Sequence, residues 1–168
     1  MARAGLIKCL LDTVGTHPCD QTIQRSVRSI FRSPVYHELR EKLQSLGSSG
    51  AVVNETMALD NGTYRQLTLS NTSSRNAMTG SMIAQLGDAV SSYVTSQDNA
   101  IIVRGDTGAF CAGSHLDLLR SATADDRTAM CDFMQFVTSA LWLDTRPIVC
   151  YAQGAAIGGG CELYMVRL

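Results

Sequence analysis

The 168-residue chain carries 14 Lys/Arg against 15 Asp/Glu, a formal net charge of -1 at pH 7, so no global field recruits it to nucleic acid or to an anionic membrane. With 45% hydrophobic and 17% charged residues, it has the composition of an ordinary globular protein. Its apolar runs all fall short of the roughly 18–20 residues of a membrane span. The length fits one domain, or one domain with a leader.

Residues 1–32 contain Arg and Ser with weak periodicity ("IQRSVRSIFRS"). A mitochondrial leader has this flavour, although Asp12 and Asp20 interrupt it. "SPVYHELREKLQSLG" predicts a short helix: Ser33 caps, Pro34 suits the first helical position, Val35, Leu39, Leu43 and Leu46 share a face, and Gly47 stops it. "GSSG" at 47–50 reads as a linker, dividing a leader and short helix (1–50) from a main domain (51–168). "VVNETMALD" and "TYRQLTLS" predict two strands joined at the turn Asp60–Gly62. After the loop "NTSSRNAMTG", Thr79 caps a helix striped by Met82, Ile83, Leu86, Ala89, Val90, Tyr93 and Val94. "AIIVRG" is a short buried strand. The loop "DTGAFCAGS" leads to a short helix with Leu116, Leu118 and Leu119. Thr123 and Asp126 form a capping box for a longer helix. Pro147 opens the strand "PIVCYA", which runs into "GAAIGGGCEL". Alternating strands and helices imply an α/β core.

The six cysteines are scattered without a C-x-x-C pair, and Cys, His and carboxylates do not group at zinc-ligand spacing. Reduced, buried thiols in an intracellular protein are the expectation. Residues 1–46 hold seven Lys/Arg and four Asp/Glu, and residues 47–168 hold seven and eleven, with both lysines in the first part. The second part therefore excludes a Walker A loop and a Schiff-base lysine. Its chemistry concentrates in two strand-to-helix turns, "FCAGS" at 110–114 and "GAAIGGGCEL" at 154–163. Neither matches G-x-G-x-x-G. A single glycine-rich turn is as well explained by tight packing as by a ligand, but two that converge can form an oxyanion hole from backbone N–H groups.

"NAMTGSMI", "IIVRG", "AFCAGS" and "QGAAIGGGCEL", in this order and spacing, resemble the crotonase (enoyl-CoA hydratase/isomerase) superfamily over roughly residues 54–168. "GSHLDLLR" and "DFMQ" extend the likeness toward its members that decarboxylate malonyl-type acyl-CoA thioesters, as does the upstream "YHELREKLQSL". The resemblance implies a crotonase-like ββα spiral fold and an acyl-CoA substrate, with no cofactor and no metal. It also implies an assembly of trimers or hexamers, and no nucleic-acid or membrane partner. By position it makes the N–H groups of Ser114 and Gly159 the oxyanion donors and Glu162 an acid/base carboxylate. Ala112, Gly113, His115, Leu116 and Gly158 become substrate-binding residues by the same likeness. The expected compartment is the cytosol, or the mitochondrion if a leader is present.

The implied activity is decarboxylation of ethylmalonyl-CoA or methylmalonyl-CoA through a stabilised thioester enolate. Hydration or isomerisation of an enoyl-CoA by the same fold is the alternative, and a binding fragment without turnover is another. His115 stands where the superfamily usually has Asp. It reads as a hydrogen-bonded surface group or as a contact to a substrate carboxylate or phosphate. Cys111 and Cys161 flank the two turns without a His/Asp relay and are expected to be structural. Ser114 lacks the G-x-S-x-G elbow, so it is expected to act through its backbone N–H. The superfamily's domain continues well past "YMVRL", which leads to the expectation that the C-terminal part of the fold is missing.

Overall fold

A computed structural model describes residues 21–167. In chain order the elements are α1 (Gln21–Ile30), α2 (Pro34–Gln44), β1 (Ala51–Leu59), β2 (Gly62–Ser70), α3 (Gly80–Thr95), β3 (Ala100–Gly105), α4 (Leu116–Ser121), α5 (Ala124–Leu143), β4 (Ile148–Tyr151) and α6 (Gly159–Tyr164). One four-stranded sheet, ordered β1-β2-β3-β4, runs through the molecule. β1 and β2 form the expected antiparallel hairpin, with Leu59 opposite Gly62 across a two-residue loop. β3 joins β2, and β4 joins β3, in parallel.

Register explains how the sheet acquires one buried face. Leu67 stands opposite Val103, and Val103 opposite Cys150. Beside this row Ile101 pairs with Ile148. Leu67, Ile101 and Val103 are fully buried, under α3 and the helices that pack on it. α3 is apolar nearly all round, with ten buried residues, and Thr79 caps it by accepting the Met82 N–H. Gly87 lets α5 come close: a Cβ there would stand 2.5 Å from the Phe133 ring. Phe133 stacks on Tyr36 of α2 at 5.1 Å between ring centroids. Ser33 caps α2, and the Thr123/Asp126 capping box opens α5 as expected.

The N-terminal reading needs correction. Weak periodicity concealed α1, whose Val27 and Ile30, with the following Phe31, are buried in the same core as the sheet. Residues 21–50 thus join the body of the domain, so the boundary expected near residue 50 separates nothing in the packing. Of the residues 1–32 read as leader-like, 1–20 lie outside the described residues, and the rest hold α1 and the buried Phe31.

Candidate active site

Both glycine-containing turns leave the sheet at the carboxyl ends of parallel strands, β3 and β4. They are zipped to one another. The N–H groups of Phe110 and Cys111 both donate to the Ala155 carbonyl, at 3.1 and 2.9 Å, and Ile157 N–H returns to the Cys111 carbonyl at 3.0 Å. This parallel bridge, Cys111 opposite Ala156, brings the backbones too close for side chains. A Cβ on Gly160 would stand 2.5 Å from the Cys111 carbonyl oxygen, and one on Gly113 would stand 2.8 Å from that of Ile157. Gly113 also takes φ +86°, which favours glycine.

A second bridge ties the first turn to the segment ahead of α3. Met78 N–H donates to the Gly113 carbonyl at 2.7 Å, and His115 N–H donates to the Met78 carbonyl at 2.9 Å. The fully buried Asn76 braces the same turn. Its Nδ2 donates to the Asp106 and Ala109 carbonyls, while its Oδ1 accepts the Asn71 N–H. Neither Asn76 nor Met78 was assigned a role from sequence. The available signal was Asn in a loop, a residue that tolerates the left-handed φ of 57° found here.

The result is that Ser114 and Gly159 face the same cavity, of about 890 Å3. Neither N–H donates to another described backbone carbonyl, as suits groups aimed at a ligand. Glu162 is the one carboxylate among the described residues on the cavity wall, where Arg127 is the one cation. Its own N–H donates to the Gly158 carbonyl at 3.0 Å in the first turn of α6. Apolar side chains of α5 and Met78 supply much of the remaining wall.

Ala112, Gly113, His115, Leu116 and Gly158 are outside that wall, and each has a local part. Ala112 N–H donates to the Arg75 carbonyl at 3.1 Å. Gly113 provides the close approach, and Gly158, at φ +53°, turns the chain into α6. Leu116 opens α4 and is 64% exposed.

His115 is the N-cap of α4. Its Nδ1 accepts the Asp117 N–H at 3.3 Å, and its Nε2 lies 3.0 Å from Ser74 Oγ. With Nδ1 accepting, the neutral ring carries its proton on Nε2 and donates it to Ser74. The pair is therefore arranged as a hydrogen-bonded cap and not as a base activating a serine. Cys111 is fully buried, and burial pushes its thiol up despite the Gly113 backbone hydrogen bond. Burial also raises the Cys150 thiol, to about 11.

Residues 60–167 match the family model described as enoyl-CoA hydratase/isomerase. The chain belongs to this family. Curated relatives include the ethylmalonyl-CoA decarboxylase of Danio rerio, 34% identical over 166 residues, covering 97% of this chain and 53% of that protein. The ethylmalonyl-CoA decarboxylase of Homo sapiens is 37% identical over 98 residues, covering 57% of this chain and 32% of its own. Among solved structures, an enoyl-CoA hydratase from Bacillus anthracis superposes with a TM-score of 0.62 at 15% identity, covering 68% of this chain and 44% of that one. These similarities establish a crotonase-type α/β fold. The chain spans about half the length of the first curated relative it matches.

Proposed function

We propose that the two turns hold the thioester carbonyl of a malonyl-type acyl-CoA, with ethylmalonyl-CoA or methylmalonyl-CoA as the substrate to be decarboxylated. The observation that carries this reading is that Ser114 and Gly159 share one cavity wall while their N–H groups meet no backbone acceptor among the described residues. When the bond between the α-carbon and the carboxylate breaks, CO2 leaves and its electron pair delocalises onto the thioester oxygen as an enolate. Preorganised donors act where that charge develops, each typically worth about 2.7–4 kcal/mol. C–C cleavage itself needs no proton. In this reading Glu162, on the same cavity wall, orients the substrate or helps return a proton to the α-carbon afterwards. The names of the curated relatives support decarboxylation over hydration, which must also position and activate a water.

The test is to incubate the chain with ethylmalonyl-CoA and with crotonyl-CoA and to follow CO2 and the thioester products. CO2 with butyryl-CoA is expected from the first; hydration of the second without CO2 release from the first would overturn the reading. Glu162→Gln is expected to lower kcat by about ten- to a thousandfold while acyl-CoA affinity stays close to wild type, since general acid–base roles are typically worth 10²–10⁴.

A second reading, acyl-CoA binding without turnover, is favoured by the open apolar surface near the site, where Trp142 and Met165 are 51% and 59% exposed. Saturable binding of butyryl-CoA with no product from either substrate is its signature. The proposed compartment is the cytosol, in keeping with free thiols at Cys111, Cys131, Cys150 and Cys161; a C-terminal fluorescent fusion that co-purifies with mitochondria would contradict it.

A further inference from the structure

We propose that Met78 and Met134 form the gauge that sets which α-substituent the site accepts, with Met78 also fixing the spacing of the two donors. This rests on the thioester-binding reading above. Met78 belongs to both turns at once. Its backbone brackets Ser114, donating to the Gly113 carbonyl at 2.7 Å and accepting the His115 N–H at 2.9 Å. Its side chain crosses to the other turn, where its Cε lies 2.9 Å from the position that a Cβ on Gly159 would occupy. From α5, the Met134 Cε comes within 3.8 Å of that same position. Two methyl groups from separate elements therefore close on Gly159, and both side chains line the cavity.

The geometry dictates the consequence. A thioester whose oxygen is held by these N–H groups has its α-carbon one bond from the carbonyl carbon, so the α-substituent extends over the wall beside the donors. Hydrogen, methyl and ethyl differ there by single methylenes, and a hydrophobic pocket discriminates about 10–200-fold for each. Met78 and Met134 are 1% and 6% exposed, so they are held by packing, yet unbranched thioethers adapt in shape better than Leu or Ile. Met78 is a positioning residue, and Met134 determines specificity.

The test uses the chain labelled with 13C at its methionine methyls, titrated with acetyl-, propionyl-, butyryl- and hexanoyl-CoA. These saturated thioesters have no carboxylate to lose and carry hydrogen, methyl, ethyl and butyl on the α-carbon. Butyryl-CoA is expected to move the Met78 and Met134 methyl resonances and to leave Met57, on β1, in place. Met134→Ala is expected to favour hexanoyl- over butyryl-CoA by at least about tenfold relative to wild type, and Met134→Phe to shift the order toward acetyl-CoA. Met78→Ala is expected to weaken all four together by loosening both donors; if it fails to fold, the two Met134 variants still decide the matter. Bound butyryl-CoA that perturbs the Ser114 and Gly159 amides but neither methionine methyl overturns the gauge alone, as does an unchanged affinity order in both Met134 variants. Failure of every thioester to bind removes the thioester reading and the gauge with it.

Discussion

Asn76 shows how much of the site depends on single side chains that never touch the cavity. Its amide satisfies three backbone groups of two loops, and leaving a buried polar group unpaired costs about 1–3 kcal/mol. Asn76→Ala is expected to lower stability by about 3 kcal/mol or more and to weaken acyl-CoA binding, measured by chemical denaturation and calorimetry. His115→Ala offers the contrast. It removes a helix cap, for about 0.5–2 kcal/mol, but lies outside the cavity wall, so acyl-CoA affinity is expected to change less than about twofold. At this scale the sequence made Ser114, Gly159 and Glu162 legible as candidates, since they sit in turns with a recognisable pattern, and the three share one cavity wall. Asn76 and Met78 stayed hidden because their roles arise from pairing with residues 106–115, a register that no local pattern encodes.

Elements with their own stop and start signals were readable, namely the Ser33, Thr79 and Thr123 caps and the Asp60–Gly62 turn. α1 was not. Its buried Val27 and Ile30 stand among Arg and Ser, and its place comes from packing on α3 and α5. The ion pair that joins β2 to the α3–β3 connection was equally invisible. Arg65 donates to Asp98 at 2.9 and 2.7 Å, and Asp98 also accepts from Thr63 and Ser96. Burial alone would raise the Asp98 carboxyl, but hydrogen bonds from Thr63, Ser96 and Arg65 outweigh it and hold the carboxyl below its usual range. A carboxyl depressed in the folded state gives stability that is complete above its unfolded pKa, about 3.9. That contribution is lost as pH falls through the lower, folded value. Asp98→Asn is therefore expected to cost up to about 3–5 kcal/mol at pH 7, by leaving the Arg65 charge without its carboxylate, and to flatten the loss of stability below about pH 4. Thermal melts between pH 7 and pH 3 check both.

Among the described residues, the sheet presents one face to the helices, and no described helix covers the other. Parallel sheets are ordinarily covered on both faces. Here Val53 on β1 and Val149 and Tyr151 on β4 are 41%, 50% and 58% exposed on the outer face or its edge. Apolar surface beside an unpaired strand edge promotes association. Val149→Lys with Tyr151→Lys is expected to increase the monomer fraction in size-exclusion chromatography at high concentration while changing the melting temperature little. The two bridged turns follow β3 and β4 of this sheet, and the proposed function rests on them. That function requires the Ser114 and Gly159 N–H groups together to polarise one thioester carbonyl. Isotope-edited infrared spectroscopy of butyryl-CoA labelled with 13C at the carbonyl reads this directly. The bound band is expected at lower frequency than the free one, with the shift reduced in Gly159→Pro, which lacks the N–H. A thioester that binds with its carbonyl band unmoved would contradict that polarisation.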